Sequence, residues 1–181
     1  MASLPHRAVL PASQSPEFHP ASPGDAMAIR QMAEEIWYLC YPGIITQQQI
    51  DFMLDWMYAP EKLAKEIADP EIEFGFLIQD DEAIGYASFG PETPGNRQAA
   101  QLHKFYLHPR KHGKGLGSAA LREVIRLAKK QGYKTLSLRV NRANQAAVRC
   151  YEHGGFTIER EISTDIGKGF VMDDFQMSRE L

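Results

Sequence analysis

The run His112-Gly113-Lys114-Gly115-Leu116-Gly117 sits between a strand-like stretch and the clearest amphipathic helix of the chain. Alternate glycines remove Cβ atoms where a ligand must approach the backbone. The unbonded N–H groups that open the next helix point at the loop, and the helix dipole favours an anion there. Lys114, with Arg110 and Lys111 just before it, adds positive charge. The run reads as a phosphate cradle, although glycines alone also fit a flexible turn. No Gly-Lys-Ser/Thr follows at Walker A spacing. The glycine spacing is not that of Gly-x-Gly-x-x-Gly either, and no acidic ribose ligand follows the next strand.

The periodicity around the loop predicts one α/β domain. Glu17 to Ala21 reads as a short strand, and Ser22-Pro23-Gly24-Asp25 as a capped helix start. Ile29, Met32, Ala33, Ile36 and Cys40 fall at helical spacing, as do Ile50, Met53, Leu54 and Met57 after Thr46. Pro60 opens a third, short helix ending near Asp69-Pro70. Glu73 to Gln79 and Ala83 to Phe89 read as a hairpin, and Gln101 to His108 as a central strand. Leu116 to Gln131 is a helix with Gly132 at its end. Lys134 to Val140 alternates as a strand, and Asn144 to His153 is a shorter helix. Phe156 to Ile162 and Gly169 to Ser178 are late strands. The order gives a mixed sheet with flanking helices.

With 181 residues the chain can bury one proper core. Residues 1–16 are rich in Pro, Ser and Ala and read as a disordered extension, with the folded domain at 17–181. A net charge of -3 argues against a dedicated nucleic-acid binder. No apolar run reaches the roughly 18–20 residues that cross a bilayer. Cys40 and Cys150 have neither disulfide-framework nor metal-type spacing, so a cytoplasmic protein without a metal is expected.

Asn144 and Tyr151 lie seven residues apart on one predicted helix. That is about two turns, so they share a face. By residue type alone, Asn144 is a helix cap and Tyr151 a core aromatic or a proton donor. Cys150 reads as buried rather than nucleophilic. Trp37, Tyr38 and Tyr41 read as core packing or as the wall of a cleft. Asp173 and Asp174 could attract a cation, although an acidic pair is more often a solvated face or a turn.

Two blocks carry a family resemblance. Phe105-Tyr106-Leu107-His108-Pro109 followed by the glycine loop resembles the acyl-CoA signature Arg/Gln-x-x-Gly-x-Gly/Ala of the GNAT superfamily of N-acetyltransferases. Val140-Asn141-Arg142-Ala143-Asn144-Gln145-Ala146, with Tyr151 and Gly154-Gly155-Phe156, resembles its second conserved block. Phe170-Val171-Met172-Asp173-Asp174 and the aromatic helices near the start look more narrowly like bacterial spermidine/spermine acetyltransferases of the PaiA type. One departure is His112, which stands where the family carries Arg or Gln.

The resemblance implies a mostly antiparallel mixed sheet with one splayed strand pair. It implies acetyl-CoA as cosubstrate, held by Phe105, Tyr106 and Leu107 along the pantetheine arm. Residues His112, Gly113, Lys114, Gly115, Leu116 and Gly117 would hold the pyrophosphate, through the backbone N–H in the case of His112, and Asn144 would meet the pantetheine. It implies direct attack by a primary amine, with Tyr151 serving the departing thiolate and a backbone N–H near Leu107 the oxyanion. His103 is the candidate base, expected on the face of Phe105 and Leu107 by strand alternation, with Glu73 and a water chain as rivals. Small-molecule and peptide amines are both open as acceptors, as is a module that binds acyl-CoA without catalysis. Domains of this kind also imply a homodimer.

Overall fold

The computed structural model describes residues 15–181, so all but the end of the expected N-terminal extension lies outside the described residues. The chain opens with β1 (Glu17–Pro20), a 3-10 turn over Pro23–Asp25 and α1 (Ala26–Cys40). The Ser22 N–H donates to the Asp25 carboxylate at 2.7 Å, which fixes the entry into that turn. Two more helices follow, α2 (Gln47–Met57) and α3 (Pro60–Ala68). Thr46 caps α2 by accepting the Gln49 N–H.

Next come β2 (Glu73–Gln79), β3 (Glu82–Pro91), β4 (Ala99–Leu107), α4 (Leu116–Lys130), β5 (Thr135–Asn141), α5 (Gln145–His153), β6 (Thr157–Gly167) and β7 (Phe170–Glu180). Asp80 and Asp81 both adopt positive φ, which a tight two-residue hairpin between β2 and β3 demands. The seven described strands form one sheet in the order β1-β2-β3-β4-β5-β7-β6. Only β4 and β5 are parallel neighbours, and α4 makes the crossover between them.

Each face of the sheet has its own core. Ile29, Ile36, Trp37, Leu54 and Leu63 from α1 to α3 pack on Tyr86. Leu116, Ala120, Leu121 and Val124 of α4, with Val148 and Tyr151 of α5, pack on Leu102, Leu107 and Leu138. The boundaries depart from the sequence reading mainly at the end. β6 and β7 form a hairpin of 11 residues per strand, because polar Ser163 to Asp165 still pair with β7. β6 is an exposed edge strand, so it carries no apolar alternation to read.

The expected splay is present and has a local cause. β4 pairs with β5 from Ala99 opposite Thr135 to Leu102 opposite Leu138, and no further. On its other side, Leu102 faces Phe89 and Lys104 faces Ser88, which leaves His103 as an extra residue. Such a bulge bends the strand and increases its twist. Beyond it, Phe105 to Leu107 part from Arg139 to Asn141, and a gap opens through the sheet.

Candidate active site

The cradle is built by backbone. Gly113 and Gly115 sit at φ +77° and +75°, which side-chain-bearing residues rarely adopt. No acceptor among the described residues meets the N–H groups from Gly113 to Ser118. Six unbonded amides around one helix start form a site for an anion. Gly117 has ordinary helical geometry, and a Cβ there would meet only Cys150 Sγ, at 3.7 Å. Packing therefore does not require glycine at 117. These features fit the phosphates of a nucleotide-type cofactor.

Not every charge near the cradle is available. Lys111 is bound to Glu82 at 2.6 Å. The His112 N–H donates to the Pro109 carbonyl at 3.0 Å, so it is not a free phosphate donor. The His112 ring turns back instead, with Nε2 2.9 Å from the Leu107 oxygen. Leu116 is buried in the core. Of the glycine loop, the side lining the cleft is formed by His112, Gly113, Gly115 and Gly117, continued by Ser118.

The loop is one end of a cleft of about 1120 Å³ that passes through the gap. The His108 N–H bonds to Ile84 on β3, so alternation turns the amides of Phe105 and Leu107 toward the gap. Tyr151 enters from α5, its ring 6.2 Å from that of Phe105. Burial drives its phenol far above the ordinary range, so it stays protonated. Asn144 caps α5 by accepting the Ala147 N–H at 3.2 Å, which leaves its amide NH₂ for a ligand. Asn144 and Tyr151 both line the cleft, as their shared helix face requires.

Across the gap the cleft continues on the α1–α3 side. Tyr41 and Tyr106 lie there, with Met53 and Met172. Burial raises the Tyr41 phenol to about 12. Trp37 belongs to both cleft wall and core, whereas Tyr38 points outward and donates to Asp51. The bulge breaks the alternation expected for His103. Ala100 and Leu102 face α4, Lys104 and Tyr106 face the opposite core, and His103 is the residue between the two registers. Its Nε2 is buried without a hydrogen-bond partner. Burial, with Lys104 adjacent, pulls the imidazole below its ordinary value of 6.5, so it is neutral at pH 7. Glu73 does not line the cleft, and its carboxylate accepts from Gln131 at 2.5 Å.

Three cleft residues escape a sequence reading. Ser118 follows the loop without a motif. Glu66 comes from α3 and bonds Lys104 at 2.5 and 2.7 Å. Asp174 was expected on a solvated face or turn but stands buried in mid-strand. A strand-depleted residue between Met172 and Gln176 was the available signal. Cys150, expected buried, is half-buried and lines the cleft.

A sheet opened at a bulge, with an amide cradle on one face and an apolar, aromatic cleft ending in a buried carboxylate on the other, fits a transferase that brings a nucleotide-linked donor to an acceptor from the opposite side. Residues 30–156 match the acetyltransferase (GNAT) family, and the chain belongs to it. It is an acetyl-CoA-dependent N-acetyltransferase. The chain is 29% identical over 153 residues to spermidine N(1)-acetyltransferase of Thermoplasma acidophilum, covering 82% of this chain and 90% of the relative. It superposes on the crystal structure of the PaiA N-acetyltransferase of T. acidophilum in complex with coenzyme A with a TM-score of 0.76 at 27% identity, covering 92% of this chain and 99% of that one. A shorter match, 31% over 90 residues, is to the L-methionine sulfoximine/L-methionine sulfone acetyltransferase of Salmonella typhimurium, covering 48% of this chain and 52% of that protein.

Proposed function

We propose that the protein acetylates a primary amine of a polyamine, by direct attack on the thioester of acetyl-CoA through a tetrahedral intermediate. The observation that carries this is the gap beside Phe105 to Leu107, which joins an anion cradle on one sheet face to a cleft with a buried carboxylate on the other. The likeness to a spermidine acetyltransferase supports the acceptor class.

In this reading residues 113–118 hold the pyrophosphate, and the free edge of Phe105 and Leu107 pairs with the pantetheine as a further strand. The Asn144 NH₂ meets the same arm, and the backbone of Tyr106 holds Phe105 and Leu107 in register through its pairing with Tyr86. Lys114 contributes charge from the loop surface. The acceptor arrives as an ammonium with a pKa of about 10 and gives a proton to His103 Nε2, directly or through water. Its nitrogen then bonds to the acetyl carbon, a β4 amide stabilises the oxyanion, and as the carbon–sulfur bond breaks the surplus proton on the nitrogen passes to the departing sulfur, directly or through water, leaving the amide and the CoA thiol. A thiol loses its proton near ~8.5, so full transfer from a phenol held above ~10 is uphill. Tyr151 therefore acts chiefly as a strong hydrogen-bond donor to the leaving sulfur.

The test is release of the CoA thiol with a panel of amines. Turnover of spermidine without turnover of peptides or methionine sulfone supports the reading. Turnover of peptides alone overturns the polyamine assignment and leaves a protein acetyltransferase.

A further inference from the structure

The mechanism above uses one face of the gap fully and leaves a carboxylate idle on the other. Asp174 lies on β7 opposite Asn141 of β5 and Ile162 of β6, 5% exposed, and lines the cleft. Its neighbour Asp173 points to the other face and is satisfied by Arg142, Nε to Oδ2 at 3.2 Å. The backbone of Asp174 is held in both ladders, but its carboxylate makes no hydrogen bond or ion pair with the described residues. Its oxygens open on the cleft and are not sealed in the core, so a positive charge entering the cleft would offset the cost of holding a carboxylate there.

Its surroundings say what carries that charge. Arg139 on β5 is felt electrostatically but is exposed and unpaired with it. Tyr41 at the end of α1 is the other titratable group facing it, besides Asp173 in its own strand. From α2 the wall is uncharged, with Gln49, Met53 and Met57. The carboxylate therefore stands at the end of a soft apolar and aromatic trough, which suits methylenes beside a terminal cation.

We propose that Asp174 binds the second, non-reacting ammonium of the acceptor, so that the protein selects aliphatic diamines and longer polyamines over monoamines. This rests on the amine-acetyltransferase reading of the same cleft. The reacting nitrogen sits in the gap, the alkyl chain lies along the methionines, and the distal ammonium meets Asp174. The carboxyl, raised to about 6 by burial, is ionised at neutral pH and loses its charge as the pH falls through that value.

The experiment compares 1,4-diaminobutane with 1-aminobutane in the native protein and in Asp174→Asn, by CoA thiol release, with acetyl-CoA affinity as the check on folding. The native protein is expected to prefer the diamine in kcat/KM by at least tenfold. Asp174→Asn should shrink that ratio at least tenfold, mostly through KM. In the native protein the diamine KM should climb as the pH falls through about 6. The monoamine KM should lack that limb. If Asp174→Asn does not fold, Asp174→Ser and the native pH profile carry the test. An unchanged ratio in the variant, or equal use of both amines by the native protein, overturns the anchor while leaving the amine reading intact. Binding of acetyl-CoA with turnover of neither amine overturns the amine reading itself.

Discussion

The Nε2 of His112 lies 2.9 Å from the carbonyl oxygen of Leu107, so the entrance of the glycine loop is tied to the end of the strand that borders the gap. The imidazole donates from that nitrogen, which makes His112 a positioning residue. His112→Ala should weaken acetyl-CoA binding several-fold, as measured by calorimetry, with a smaller change in kcat. His112→Gln keeps an N–H donor of similar reach and should restore much of the affinity. Equal loss in both variants would mean that the tether is not what matters.

Gly117 separates stability from binding. A Cβ there meets only Cys150 Sγ at ordinary contact distance. Glycine costs a helix about 0.5–1 kcal/mol relative to alanine. Gly117→Ala should therefore melt no lower than the native protein while its acetyl-CoA affinity falls. A variant that binds normally would show that no ligand approaches this position closely.

Tyr151 packs against Phe105 and Phe156 as well as lining the cleft. Tyr151→Phe keeps the ring and removes the donor. The expected loss is in kcat, on the order of 10²-fold or more for a general-acid-type role, with acetyl-CoA affinity little changed. An unaltered kcat would remove Tyr151 from the mechanism.

His103 should appear in the pH profile. Burial disfavours its cationic form, so the neutral base persists to lower pH than an ordinary imidazole. The acid limb of kcat, which the Asp174 contact acting through KM does not move, is expected below 6.5. In His103→Gln the limb should vanish and kcat should drop. A limb that survives the substitution assigns it to another group.

Glu66 is a stability residue first. It accepts two hydrogen bonds from Lys104, a lysine almost fully buried between Tyr58 and Phe74. Removing one partner of such a pair typically costs about 3–5 kcal/mol. At roughly 2–4 °C per kcal/mol for a chain of this size, Glu66→Ala should lower Tm by about 10 °C. Glu66→Ala with Lys104→Met should recover much of it. The comparison is made by thermal unfolding with acetyl-CoA absent.

Much of this was legible in the chain itself. Caps at Thr46 and Asn144 marked their helices, and the glycine loop, Asn144 and Tyr151, singled out together in the sequence, line one cleft. What the sequence hides is parity. Alternation placed His103 with Phe105 and Leu107, because one unpaired residue in a strand leaves no mark in composition. The same blindness concealed Asp174, whose burial depends on β7 being inserted between β5 and β6. Glu66 was hidden for a different reason, since its partner is 38 positions away. The amide of His112 was misjudged because a 3-10 turn over Pro109–Lys111 captures it.

The bulge carries one more consequence. Without His103, Leu102 would precede Lys104 directly, and every side chain from Lys104 to Leu107 would keep the face it now occupies, opposite the same β3 partner. Nothing in either core requires the additional residue. Excising it should leave a strand free to zip fully against β5, giving an intact sheet with no passage between its two sides. In the proposed mechanism activity depends on the length of one strand as much as on any side chain, and a shortening by one residue is a more damaging edit than an exchange.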